Sequence, residues 1–422
     1  MEKGEKMNQK KQTIWSRDFI LVCLVALAVN ICMRMLDSNL ASYANETWNS
    51  KSLGGQLTSF LNIGSILMAF FAGKIVEVRG RKNSLIVFCL LFAIPTVLFV
   101  LIPIPGVALG VRLIQGIAKG VVTVAMASVV SDVIPREKMN EGMGMYNLGS
   151  TISMAIGPMI GLMLVEKGGY AMMFIACAVT YGSGAFFSAF MKYEKKNISE
   201  KKTTEESMKK EAAISEKKYR GVWALIEKKA ILSSLINTIF FGGYACILVY
   251  VTIYAQEVLK LSAGQISLFY TVAAVAMLII RFTTAKVADK YGAMWMIAPG
   301  HIIMIGALLL LAFPAKSSYL AFLAAGACYG IGNAAVTPAL NAVAVVDSPA
   351  DRGAQANACF YFLMDFGILI SSSCFGKLMD AAASVEVGYQ ETFLISSGVL
   401  VFSLILSLLV LNEKARKRLR NA

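Results

Sequence analysis

The chain has 422 residues, 57% of them hydrophobic and only 16% charged, with a formal net charge of +14. A soluble protein of this length needs more charge to cover its apolar core. The composition excludes an ordinary soluble enzyme, and the positive charge must be located before it is read as affinity for nucleic acid.

Twelve apolar segments follow one another, near residues 19–44, 53–76, 84–102, 106–131, 142–165, 169–191, 230–256, 262–285, 293–313, 318–346, 353–379 and 390–411. Each is long enough to cross about 30 Å of hydrocarbon as a helix. None shows the short alternation of a barrel strand. The predicted fold is therefore an all-α membrane protein with twelve transmembrane helices. The first segment is too long for a cleavable signal and has no small-residue cleavage site after it, so it is predicted to stay as a helix.

The first segment carries Asn30, Arg34 and Asp37, spaced to share one helix face. Between the second and third lies a charged turn, Gly73-Lys-Ile-Val-Glu77-Val-Arg79-Gly80-Arg81-Lys82. The fourth segment carries Arg112, Gln115, Lys119 and Thr123 on one face. Charge inside a bilayer costs several kcal/mol, so such faces are predicted to meet a wet cavity. Segments one and four run in opposite directions, which puts Asp37 and Arg112 at similar depths. They are predicted to pair, or to compete for a proton. The alternative is a static ion pair that fixes packing.

Residues 193–229 are the one long polar stretch. With Lys192 they hold twelve Lys or Arg and seven acids. The Lys/Glu run there has the spacing for partial helix. Lys3, Lys6, Lys10, Lys11 and Arg17 precede the first segment, and five basic residues follow the last. The intervening loops on the other side hold at most one Lys each. This is the positive-inside pattern, with both termini and the linker cytoplasmic. The excess charge is a topology signal, with some attraction to anionic lipids, rather than a nucleic-acid footprint.

In the second half, Ala285-Lys-Val-Ala-Asp289-Lys-Tyr-Gly292 is a weaker copy of the charged turn. Glu77 and Asp289 are 212 positions apart, as are Gly80 and Gly292. Gly264-Gln265-Ile266 likewise echoes Gly55-Gln56-Leu57. The chain is read as two related bundles, 1–192 and 230–422, joined by the linker. Segment seven offers Asn237, Tyr244 and Tyr254. Segment ten offers Tyr329, Asn333, Thr337 and Asn341. These groups suit either an organic solute or inter-helix hydrogen bonds. Segment eleven carries Asp365, predicted near midplane on the face of Tyr361 and Asn357. A lone carboxylate there resists ionisation, which suits reversible protonation. Arg281 is assigned to the support of the second turn.

Other chemistry is poorly represented. The eight cysteines all fall in apolar segments and form no CxxC. They read as packing residues. The single histidine, His301, cannot build a metal site and is expected to be packed. No GxxxxGK[ST] phosphate loop occurs, so no ATPase is expected within the chain.

Three motifs resemble those of the major facilitator superfamily. Gly73–Lys82 resembles its loop signature G-x-L-x-D-x-x-G-R-[RK], with Ile75 and Glu77 as departures. Arg112-Leu-Ile-Gln115-Gly116 resembles the RxxQG motif of helix four. Gly149 with Gly157-Pro158-Met-Ile-Gly161 resembles the helix-five motif of antiporter branches, with one Gly where a pair is usual. Lys119 stands where the family usually has a small residue. The resemblance implies two six-helix bundles that rock about a central cavity. It implies that Gly73, Glu77, Gly80, Arg81 and Lys82 latch one state, with Asp289 and Gly292 as a weaker second latch. It implies proton-coupled antiport of a small organic solute by a monomer in the cell membrane, with the proton gradient in place of a cofactor. Asp365, Asp37 and Arg112 are the expected proton-coupling groups. Asn30, Arg34, Gln115, Lys119, Asn237, Tyr244, Tyr329, Asn333, Asn341 and Tyr361 are the expected substrate contacts. Their slight cationic balance leans towards an anionic or zwitterionic solute, with import of a carboxylate by symport or exchange as the alternative.

Overall fold

The computed structural model describes residues 15–69, 71–134, 138–192, 227–313, 315, 317–349 and 352–421. The linker and its expected partial helix lie almost wholly outside the described residues. Helices account for nearly all the rest. They are α1 (Arg17–Trp48), α2 (Lys51–Ala69, resuming as Ala72–Arg79), α3 (Arg81–Thr96, with Leu98–Leu101) and α4 (Pro105–Val133). A long run, Met139–Ala189, is broken at Gly168 and Gly169 into α5 and α6. The second half has α7 (Ile231–Glu257), α8 (Ala263–Tyr291), α9 (Met294–Ala312), α10 (Tyr319–Val346), α11 (Gly353–Ala381) and α12 (Val385–Asn421).

Local chemistry sets many of these boundaries. Ser16 accepts from the Phe19 amide and caps α1. Ser262 and Gln265 form a reciprocal capping box at the start of α8. Pro105 occupies the first turn of α4, where its missing N–H costs nothing. Outward-facing side chains such as Val179, Ile279, Ile302, Leu320 and Leu409 are exposed and apolar, as a hydrocarbon surface requires.

Two apolar cores are present. One is built wholly from residues between Phe19 and Met191. The other comes from residues between Ala230 and Leu411, joined by Ala41, Met154 and Leu162 from the first half. The internal repeat is visible in the backbone. Gly80 ends its helix at φ 83°, ψ 153°, and Gly292 ends α8 at φ 95°, ψ 155°. That region is open essentially to glycine alone, and another residue there costs about 1–3 kcal/mol. Gly80→Ala and Gly292→Ala are therefore expected to lower the thermal unfolding midpoint in detergent by similar amounts. A fall in one without the other would contradict a shared backbone constraint.

The helix-five glycines have a packing role. A Cβ on Gly157 would fall 2.5 Å from Cβ of Arg34, and one on Gly161 would fall 2.6 Å from Nδ2 of Asn39. Both let α5 lie directly on α1. Gly149 faces open space, so it takes no part in this approach. Pro158 lies inside the same helix, one turn from Gly161.

Candidate functional site

A cavity of about 350 Å³ lies between the two halves. From the first half, α1 contributes Asn30, Arg34 and Asp37, α2 contributes Thr58 and Asn62, α4 contributes Lys119, and α5 contributes Ser150. From the second, α7 contributes Tyr244, α8 Arg281, α10 Tyr329, Asn333 and Thr337, and α11 Tyr361 and Asp365. Phe241, Met154, Met277, Leu248, Met364 and Ile368 are among its apolar walls. Eight helices thus share the site.

Asp365 is not a lone carboxylate. Its Oδ1 lies 3.8 Å from Nζ of Lys119, and the pair crosses from one half to the other. Asn333 donates to the Tyr244 hydroxyl at 2.8 Å, tying α10 to α7 within the second half. Nη1 of Arg281 donates to the Thr151 hydroxyl of α5 at 2.9 Å, a second crossing. Arg281 belongs to the cavity, and its assignment to the second turn is corrected.

The stripe on α4 divides. Lys119 reaches the cavity, but Arg112 and Gln115 are fully buried within the first half. Nε of Arg112 donates to the Leu57 carbonyl at 3.1 Å, and Nη1 donates to Oε1 of Gln115 at 3.1 Å. Gln115 in turn donates to Thr96 on α3 at 2.8 Å. Gln115 is therefore a brace between helices and not a lining residue. Asp37 stands between two guanidinium groups, 3.9 Å from Arg112 and 3.7 Å from Arg34. The predicted Asp37–Arg112 proximity is present, with Asp37 as the cavity-side counter-ion of a buried Arg.

Two other predicted contacts also lie away from the cavity. Asn237 is wholly buried in α7, and neither of its side-chain polar atoms has a hydrogen-bond partner among the described residues. Asn341 lies 3.4 Å from the Tyr361 hydroxyl, as a donor to it, without lining the space. His301 is packed, with Nδ1 2.8 Å from the Ile297 carbonyl and Nε2 3.0 Å from the Ser403 hydroxyl.

The halves are tied together at the end opposite the chain termini. Glu257 at the end of α7 binds Nζ of Lys51 at 3.0 Å. It also accepts from Asn45 at 2.7 Å and from the Tyr389 hydroxyl at 2.9 Å. Asp380 of α11 accepts from the backbone amides of Lys51 and Ser52 at 2.9 and 2.8 Å, and from the Ser50 hydroxyl. This carboxylate caps the N-terminus of α2 from the other half, where negative charge is favoured. Below it, Ser59 donates to the Leu369 carbonyl at 2.7 Å and meets Ser372 and Ser373. Tyr250 donates to the Ser372 carbonyl at 2.6 Å.

At the termini end, the charged turn bonds within its own half. Arg81 pairs with Asp132 of α4 at 3.2 Å, and Lys82 donates to the carbonyls of Ala189 and Met191. Glu77 is exposed and forms no ion pair among the described residues. The expected compact cluster of Glu77 with Arg79, Arg81 and Lys82 is thus not formed. Gly80 breaks the helix between them and sends Arg81 towards α4 instead. Gly73 is also exposed, with open space around it. Gly292 is exposed, and the side chain of Asp289 lies outside what is described. The contacts of Glu257, Asp380 and Ser59 close the cavity off from the end opposite the termini.

Comparison with known proteins decides the family. The model described as "Major Facilitator Superfamily" matches residues 22–372. The chain belongs to the Major Facilitator Superfamily. It is a multi-pass membrane transporter of small organic solutes and not an enzyme. It is similar to the multidrug resistance protein MdtG of Escherichia coli, with 25% identity over 408 residues, covering 93% of this chain and 94% of that one. An uncharacterized MFS-type transporter of Methanocaldococcus jannaschii is 24% identical over 309 residues, covering 73% and 77%. Among solved structures, the nucleoside transporter NupG superposes with a TM-score of 0.72 at 12% identity, covering 92% and 97%. A D-xylose-proton symporter superposes with a TM-score of 0.72 at 15% identity, covering 92% and 96%. These likenesses carry the fold, twelve helices in two bundles.

Proposed function

We propose that this transporter works by proton-coupled antiport, exporting a small organic solute from the cytoplasm across the cell membrane. The observation that carries the reading is the Lys119–Asp365 pair, which joins the two halves inside the cavity. A carboxylate there is offered a cation by the protein, by the substrate or by a proton. Only one of the three is needed at a time, and that is the condition for exchange. Protonation or substrate binding releases Lys119 and loosens the tie between halves. The similarity to a multidrug resistance protein supports the outward direction. The positive-inside pattern supports cytoplasmic termini, so the end sealed by Glu257 and Asp380 faces outward. A monomer has the whole cavity within one chain. Energy comes from the proton gradient and requires no cofactor.

A second reading is symport or anion exchange that imports an organic carboxylate. It draws on the cation excess of the cavity, where Arg34, Lys119 and Arg281 face Asp37 and Asp365. Proteoliposomes separate the two. With substrate on both sides, an imposed proton gradient should drive substrate against the proton flow in antiport. Movement with the proton flow, or exchange indifferent to it, would refute the proposal.

A further inference from the structure

We infer that the cavity takes an amphoteric organic solute, its anionic group held by Arg281 and its cationic group by Asp365. This rests on the cavity being the substrate site and deepens that reading to a substrate class.

The charges lining the cavity do not balance internally. Asp37 already serves Arg34 and the buried Arg112. Asp365 serves Lys119. Arg281 is left with one hydrogen bond to a neutral hydroxyl, a buried Nε without a partner, and no carboxylate in ion-pair range among the described residues. A partly buried guanidinium on a cavity wall without a counter-ion is costly. Its planar fork matches a carboxylate or a phosphonate. The anion that completes it must come from the solute. At about 350 Å³ the space is near the lower end of ligand pockets, so the solute is small. Phe241, Tyr244 and Tyr329 provide apolar and aromatic wall for its skeleton.

The cationic group follows from the sign of coupling. A proton on Asp365 makes the cavity more positive, so a purely anionic solute would bind better with the proton. That is the linkage of symport. Antiport needs proton and solute to compete, which requires a positive group on the same carboxylate. The Lys119 contact at 3.8 Å is longer than a direct charge-assisted hydrogen bond of about 2.7–2.9 Å. Such a contact is weak enough for an incoming ammonium to replace it. The other titratable or charged groups on this cavity are Lys119 from α4, Arg34 and Asp37 from α1, Arg281 from α8, Tyr244 from α7, Tyr329 from α10 and Tyr361 on α11 itself. From α2 come only the uncharged Thr58, Leu61 and Asn62, from α5 the uncharged Ser150 and Met154, and α12 contributes nothing to the lining among the described residues.

The test is a thermal-shift and calorimetric binding panel on the purified full chain. Amino carboxylates and amino phosphonates are compared with their N-acylated, purely anionic analogues and with the matching purely cationic amides, at acid and alkaline pH. Amphoteric members should bind roughly tenfold or more tightly than either analogue, the usual effect of one charge-assisted contact. Arg281→Gln should weaken amphoteric and anionic members by a similar factor and leave the cationic amides unchanged. If Arg281→Gln does not fold, Arg281→Lys carries the test, with a severalfold loss confined to the anion-bearing members. Affinity for the amphoteric members should rise with pH, and Asp365→Asn should flatten that rise. Binding confined to cations or uncharged compounds, no amphoteric binder in the panel, or indifference to the Arg281 variants would overturn the inference. The assay has no gradient, so its failure is distinct from failure of antiport. Amphoteric binding without gradient-driven flux would refute antiport and keep the subsite. Gradient-driven flux of cations indifferent to Arg281 would do the reverse.

Discussion

Asp365→Asn should leave a protein that still exchanges solute across a vesicle membrane but no longer accumulates it against a gradient in response to pH. The substitution keeps the shape of the side chain and removes its charge permanently, so it mimics the protonated state. Lys119 then loses the partner that ties α4 to α11 across the cavity. Coupling depends on the difference between the two protonation states, and the variant has only one. Gradient-driven accumulation is expected to fall at least about tenfold, the effect of roughly 1.4 kcal/mol of lost coupling. Solute affinity should become independent of pH and match the acid limit of the unaltered protein. The measurement is uptake into proteoliposomes with and without an imposed proton gradient, alongside calorimetry. A wild-type pH profile in the variant would remove Asp365 from the coupling step.

The second large effect is expected at the sealed end. Glu257→Gln removes the charge on which Lys51, Asn45 and Tyr389 converge. Lys51 is almost wholly buried, so its ammonium loses its carboxylate partner and keeps the face of the Tyr389 ring. Hydrogen bonds to charged groups contribute about 1.5–3 kcal/mol each. A loss of about 2 kcal/mol shifts the ratio of closed to open states roughly 30-fold towards opening at that end. Distance measurements between spin labels at the tips of α1 and α7 should broaden towards longer separations. An unchanged distribution would show that the contacts of Asp380 and Ser59 hold the end shut without Glu257.

Much of this architecture is legible in the sequence because it is written in local patterns. The twelve spans follow from the length of apolar runs. The repeat follows from two charged turns with a glycine at the same place, and the backbone at Gly80 and Gly292 is alike for that reason. The cavity is only partly legible. Helical periodicity says which residues share a face of α4, but not what each part of that face meets. Arg112 and Gln115 turn into α2 and α3, while Lys119, two turns on, clears them and reaches the cavity. Arg281 looked like part of a turn because it lies near one in the sequence. Its being the only charge in residues 263–285 was the available sign that it faces a wet space. The sealed end was not legible at all. Lys51, Glu257, Asp380 and Tyr389 are brought together from distant parts of the chain, and no periodicity links them.

The cap that Asp380 places on α2 has a consequence for water. The amides of Lys51 and Ser52 find their acceptor on the opposite half. Parting the halves there strips both amides of that acceptor at once, and helix-end N–H groups without one are costly until water replaces it. Opening is therefore a wetting event, in which solvent must enter as the helices separate. The rate of that step should then depend on water activity, slowing in concentrated osmolyte that is excluded from the cavity.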